Sequence, residues 1–312
     1  MTDARPLHAA TIPTYEGRPF HDPSEPLFDQ GLAFDVETLL SRRSILKVIG
    51  LGGVSAGLLA ACGPTGSSAT PAGSASRSAG SGASSGTGAT ASAAASGTTA
   101  DCTVIPEETA GPFPGDGSNG PDALTTAGVV RADIRSSFGT STTVAGGVPL
   151  TIKLALLDLK NNCAPLTGAA VYAWHCDREG RYSMYSQGVT NENYLRGVQA
   201  ADASGIVTFQ SIFPACYSGR WPHIHFEVYP SLEKATSPAN RIATSQIALP
   251  EAICNEVYAT DGYGQSVANM QNVSLARDNV FGEDQGIHQI GAMSGSVANG
   301  LTVELPVPVQ TA

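Results

Sequence analysis

From residue 101 onward, short apolar runs recur between Gly, Pro, Asn and Asp. They span 150–159, 169–174, 206–213, 224–229, 242–249 and 301–307. Runs of this length, rich in β-branched and aromatic residues and punctuated by turn formers, predict strands. Two further segments, 250–259 and 274–281, read as short helices. The pattern predicts an all-β fold, an antiparallel β-sandwich with a few short helices and long loops.

One run carries more than fold. In His223-Ile224-His225-Phe226-Glu227-Val228-Tyr229, side chains alternate between the two faces of a strand. Ile224, Phe226 and Val228 therefore form a core face, and His223, His225, Glu227 and Tyr229 share the other. Two residues of strand separate the imidazoles by about 6.5–7 Å at Cα, from which both can reach one metal ion. Two hydrogen-bonded or solvent-facing histidines would give the same pattern, so further donors are needed.

Upstream of 101 the strand pattern is absent. Residues 1–40 are polar and Pro-rich, then Ser41-Arg42-Arg43-Ser44-Ile45-Leu46-Lys47 leads into a Gly-rich apolar run, 48–60. That run is too short for a membrane-spanning helix, which needs about 20 apolar residues. A basic n-region before a short h-region marks an export signal, and the paired arginines resemble a twin-arginine signal. Leu59-Ala60-Ala61-Cys62 resembles a lipobox, whose cysteine is lipidated. Residues 63–100 carry one charged side chain, Arg77, and no aromatic, Leu, Ile, Val or Met. Such a segment cannot bury enough apolar surface to fold and forms a tether of roughly 30–40 Å root-mean-square span. The expected organisation is a signal at 1–61, a tether at 62–100 and a catalytic domain at 101–312. The expected location is the outer face of the cytoplasmic membrane, attached through lipidated Cys62.

With 17 basic against 27 acidic side chains and a net charge of −10, nucleic acid is not a partner, since phosphate binding needs clustered Lys and Arg. After Cys62, five cysteines remain: Cys102, Cys163, Cys176, Cys216 and Cys254. Outside the cytoplasm disulfides are expected, but spacing does not select the pairs. A Cys176–Cys216 bridge near the histidine strand is one of them.

Three more segments complete the pattern: Gly180-Arg181-Tyr182-Ser183, then Asp202-Ala203-Ser204-Gly205-Ile206-Val207-Thr208-Phe209, then Ile212-Phe213-Pro214-Ala215-Cys216-Tyr217. They lead to Arg220-Trp221-Pro222-His223-Ile224-His225. In this order the motifs resemble the intradiol ring-cleavage dioxygenases, typified by protocatechuate 3,4-dioxygenase and catechol 1,2-dioxygenase. The resemblance covers 101–260 well and the C-terminal fifty residues loosely. It implies a prealbumin-like sandwich with an iron(III) ion between the sheets. It implies Tyr182, Tyr217, His223 and His225 as iron ligands, with Tyr217 the one displaced by substrate. Arg220 and Gln246 would stand beside the substrate. The implied reaction cleaves a catechol-type diol between its hydroxyl-bearing carbons with O2, giving a muconate-type diacid without any organic cofactor.

The residue types agree chemically. Phenolate is a hard oxygen donor suited to Fe(III), whereas Zn(II) and Cu favour Cys and His. A tyrosine of pKa about 10 needs a strong cation to be ionised near neutrality. His175 reads as a hydrogen-bonded supporting residue and His288 as an exposed one. Tyr185, Tyr194 and Trp221 are either pocket walls or packing residues. The chain lacks the N-terminal helical dimerisation region of catechol 1,2-dioxygenases, and a homo-oligomer is one possible assembly. The alternative reading is a non-catalytic or differently metallated prealbumin-like binding module at the cell surface.

Overall fold

The computed structural model describes residues 102–311 and, upstream, the backbone of one two-residue pairing, β1 (Thr14–Tyr15) with β2 (Arg18–Pro19). The expected export signal, Cys62 and the tether lie outside the described residues.

Strand β3 (Pro149–Asp158) alternates buried Leu150, Ile152, Leu154 and Leu156 with half-exposed neighbours. Burying each such side chain is worth about 1.5–3 kcal/mol, so its register is strongly set. Along one edge β3 pairs in parallel with β11 (Gly300–Val309), which is extended by β10 (Ala292–Ser296). Along its other edge it pairs antiparallel with β7 (Ile206–Ile212) and the short β4 (Ala164–Pro165). A second, wholly antiparallel sheet has the order β6 (Arg196–Ala200), β5 (Ala170–Trp174), β8 (His223–Tyr229), β9 (Ala243–Ala248). The β3 leucines, Val207 and Phe209 of β7, Val171 and Ala173 of β5, and Ile224, Phe226 and Val228 of β8 belong to one core. The fold is an all-β sandwich, as the pattern predicts, with one parallel pair.

All six expected strands are present within two residues of their predicted ends, whereas β4, β6 and β10 have no apolar run to announce them. Helix α1 (Glu251–Tyr258) matches the expectation at 250–259, and α2 (Gly264–Met270) was not foreseen. The helix expected at 274–281 does not form. Two 3₁₀ turns, Leu275–Arg277 and Phe281–Glu283, stand there instead. The cause is Asp278, whose carboxylate accepts from the N–H groups of Val280 and Phe281 and so competes with helical bonding. Among the described residues no helix is long and apolar enough to cross a membrane.

A second correction concerns the site. The expectation of a metal between the sheets does not hold. Ile224, Phe226 and Val228 take the inter-sheet face, so period two turns His223 and His225 to the outer face of the four-stranded sheet. Tyr172, Trp174 and Tyr182 form a second core on that face, with Phe113 and Tyr217 packed against it. Loops, not the opposing sheet, bury the histidines.

Candidate metal centre

Strand β8 supplies both imidazoles. Opposite His225 in register lies Trp174 of β5, and the two rings stack at 5.0 Å with only 4° between their planes. The indole therefore fixes the plane of His225. After β5 the chain turns at Asp177, whose carboxylate accepts from the N–H groups of Glu179 and Arg181, and delivers Tyr182. Gly180 in that turn has φ of +84°, and a Cβ there would lie 3.2 Å from Cβ of Tyr217. A side chain at 180 would push the two tyrosine-bearing segments apart. Tyr217 occupies a loop rich in small residues, but its approach is held: Cys216 N–H donates to Ser266 Oγ and Asn269 Nδ2 donates to the Cys216 carbonyl, both from α2.

The four donors converge. His223 Nε2 lies 3.1 Å from His225 Nε2, 3.1 Å from Tyr217 Oη and 3.4 Å from Tyr182 Oη. His223 Nδ1 is 2.5 Å from the carbonyl of Trp221. In neutral imidazole that bond puts the proton on Nδ1 and leaves the Nε2 lone pair facing the cluster. Burial holds both imidazoles well below the usual histidine range, helped by Arg220 at His223 and by His223 at His225. Burial also raises Tyr182 well above its ordinary value and pushes Tyr217 up to about 12. Without a cation, the centre is two neutral imidazoles and two neutral phenols.

Arg220 and Gln246 reach the same place. Arg220 Nη2 donates to Gln246 Oε1 at 2.8 Å, and Gln246 Nε2 donates to the Thr109 carbonyl. Arg220 also pairs with Asp278, whose side chain is fully buried. Sequence reading passed over Asp278, because only tertiary folding brings it to a site 58 residues away. It also passed over the strap at Gly111 and Phe113. Phe113 packs on Tyr182 at 5.0 Å, and a Cβ on Gly111 (φ +70°) would stand 3.1 Å from His225 Cε1. The fully buried Arg196 clamps this strap to the Tyr182 turn, donating to the carbonyls of Phe113, Pro114 and Ser183.

Other expectations resolve plainly. His175 is buried and bonded to the Cys176 carbonyl and Ser211 Oγ, a supporting residue away from the four donors. Trp221 donates its Nε1–H to the Leu249 carbonyl and belongs to the core. Tyr185 packs on Phe113 at the edge of the site, while Tyr194 bonds Asp177 and packs elsewhere. His288 is half-buried, not exposed. Cys102 and Cys163 form a disulfide, while Cys176, Cys216 and Cys254 are buried free thiols, so the Cys176–Cys216 bridge is not made.

The model of a family described as Dioxygenase matches residues 120–231. An intradiol ring-cleavage dioxygenase from Tetranychus urticae is similar over 67% of this chain and 95% of its own, with 25% identity and a TM-score of 0.53. These matches support an intradiol ring-cleavage dioxygenase. Two more distant likenesses are the dioxygenase domain of a carbohydrate-binding fusion protein from Streptomyces sp. SirexAA-E and catechol 1,2-dioxygenase from Pseudomonas arvilla C-1. The first has 21% identity, covers 67% of this chain and 100% of its own, and has a TM-score of 0.43. The second has 20%, 67%, 62% and 0.40. No curated protein matches the sequence. The family match covers Tyr182, Tyr217, Arg220, His223 and His225 of this dioxygenase but stops before Gln246 and Asp278.

Proposed function

We propose that this dioxygenase opens the ring of a catechol-type diol between its two hydroxyl-bearing carbons, using O2 and a ferric ion held by Tyr182, Tyr217, His223 and His225. The observation that carries the reading is the convergence of two phenol oxygens and the second imidazole nitrogen, that of His225, within 3.4 Å of His223 Nε2. Among the described residues, no three His, Cys, Asp or Glu side chains gather as a metal cluster. The donor set is instead rich in hard oxygen, which suits Fe(III) better than zinc or copper. At neutral pH a phenol pushed up to about 12 is ionised in about one molecule in 10⁵. The Arg220 guanidinium beside the tyrosines is already paired with Asp278. A highly charged cation supplies what the two phenols lack.

A ferric ion held there by Tyr182, Tyr217, His223 and His225 would supply a hard Lewis acid suited to the two oxygens of a diol. The chain's own residues do the rest. Tyr217, the less buried of the two tyrosines, would accept one proton from the incoming diol, as a phenolate can. Tyr182 remains under Phe113. Arg220 offers positive charge to the oxygen that gains electrons. Phe113 and Phe281, against Tyr182 and His223, exclude water from the centre. The product is a muconate-type diacid containing both oxygen atoms.

We also assign the protein to the outer face of the cytoplasmic membrane, attached through Cys62. The twin-arginine and lipobox patterns support this, and so does the Cys102–Cys163 disulfide, since such bonds persist in oxidising compartments. The test of function is iron content, visible spectrum and O2 uptake against a panel of substituted catechols. An iron-loaded protein that is colourless and consumes no O2 with any of them refutes the proposal.

A further inference from the structure

We infer that Asp278 is a positioning residue for ring cleavage: it locks one edge of the Arg220 guanidinium and, through the backbone of Trp221, supports the imidazole of His223. The inference rests on the proposed dioxygenase reaction for its consequence, but its geometry is independent of it. Asp278 Oδ2 accepts from Arg220 Nε at 3.0 Å and from the Trp221 N–H at 2.7 Å. Its Oδ1 accepts from the N–H groups of Val280 and Phe281 at 2.9 and 3.1 Å and from Arg220 Nη2 at 3.3 Å. Five donors saturate a carboxylate that has no solvent exposure.

The consequence at Arg220 is directional. Nε and Nη2 form one edge of the planar guanidinium, and Asp278 and Gln246 occupy that edge. The two N–H groups of Nη1 make no hydrogen bond among the described residues. The side chain retains 13% exposure. The Nη1 end is therefore what Arg220 presents to a bound diol. A lysine in its place would be a point charge without a second edge to hold.

A second line runs through the backbone. The Trp221 N–H is fixed by Asp278, and the Trp221 carbonyl accepts from His223 Nδ1. The same turn brings Phe281 against His223, with ring centres 6.5 Å apart. One carboxylate thus orients the arginine and fixes the Trp221 backbone one peptide unit before the carbonyl that sets the tautomer of His223, from a segment beyond the family match.

The test uses Asp278→Asn, which keeps size but turns an amide NH2 toward donors. In the iron-loaded full-length protein, kcat/KM should fall by 10- to 100-fold, mostly in kcat, with iron content unchanged. In an Arg220→Lys background the same change should cost several-fold less, because the guanidinium edge is gone and only the hold on the Trp221 backbone is left to lose. Equal losses in both backgrounds would mean that Asp278 acts through the fold at large and would overturn the inference, as would wild-type kinetics in Asp278→Asn. A second measurement needs no ring cleavage. In the metal-free protein the Arg220 Nε–H proton, assigned by its loss in Arg220→Lys, should exchange slowly and become fast in Asp278→Asn. Fast exchange in the unaltered protein overturns the positioning role even if the enzyme is active. Slow exchange with no diol turnover overturns the proposed reaction and leaves the clamp standing. Should Asp278→Asn not fold, Asp278→Glu, which keeps the charge but lengthens the reach, is expected to fold and show the same two changes in smaller degree.

Discussion

Replacing Cys102 with Ser removes the covalent staple that fastens the start of the strap to the turn before β4, across a sequence separation of 61. In the chain-entropy treatment, opening a loop of that size frees roughly 14 cal/mol/K in the unfolded chain, or about 4 kcal/mol at 25 °C. Native disulfides removed from small domains cost about 2–5 kcal/mol. For a domain of this size each kcal/mol moves Tm by about 2–4 °C, so the variant should melt about 8–16 °C lower. The site itself should persist, because the strap is also held by Ile105 N–H to the Pro308 carbonyl, Glu108 N–H to the Thr244 carbonyl and the Arg196 clamp. The assay is calorimetry on the oxidised protein, on the protein reduced by a mild phosphine, and on Cys102→Ser. The reduced and substituted forms should coincide. Buried Cys176, Cys216 and Cys254 have thiols raised in pKa by burial and should stay unreactive in the native state. A Cys102→Ser melt within about 2 °C of the unaltered protein would refute the role given to the disulfide.

His223→Ala or His225→Ala should abolish iron retention, and full iron content in either variant would move the ligand set elsewhere. Tyr217→Phe should keep part of the iron and slow turnover about 10²- to 10⁴-fold, the usual range for a lost general base, while Tyr182→Phe should remove most of the visible band; comparison of both spectra and O2 uptake decides. Gly111→Ala combines a left-handed backbone costing about 1–2 kcal/mol with a methyl 3.1 Å from His225 Cε1, so it should lower both Tm and iron affinity, whereas unchanged affinity would show that the strap does not touch the centre. Cys62→Ser should leave activity intact and move the protein from membrane to soluble fractions, and continued membrane association would refute the lipobox.

How much of this was legible in the sequence depends on where each signal resides. β8 is legible because period two is local: one heptapeptide declares both its core face and its histidine face. The four donors were legible because each lies in a short motif, and the fold brings those motifs to one point. β6 was missed because Arg196-Gly197-Val198-Gln199-Ala200 has neither alternation nor an apolar run. Its Gly197 is there for close approach, since a Cβ would lie 2.5 Å from Ile134 Cγ2. The 274–281 segment misled because Ser, Leu, Ala and Arg favour helix, and nothing local says that Asp278 will be taken up by Arg220 and its own following N–H groups. Asp278, Gly111 and Phe113 owe their importance to partners far along the chain, and no period records that.

The outer-face location explains why loops carry so much of this site. A metal between two sheets would be buried by strands whose spacing is set at about 10 Å, leaving little to adjust. Here β8 and β5 provide one rigid wall, with His223, His225 and the stacked Trp174. Gln246 of β9 extends that wall, and connecting segments supply the rest: the strap at Gly111 and Phe113, the turn before Tyr182, the loop at Tyr217, and the Asp278–Phe281 turn. Side chains rather than ladders tie them: Arg196 holds the strap and the Tyr182 turn, Asp278 holds its own turn to Arg220 and Trp221, and Ser266 and Asn269 hold the Tyr217 loop. Changes in loop length or sequence between those ties can alter which diol enters without disturbing the donors on β8. The loops carry both tyrosine donors as well as the walls around them, so aromatic substitutions at Phe113 that keep its contact with Tyr182 should shift preference among substituted catechols more than they shift iron content.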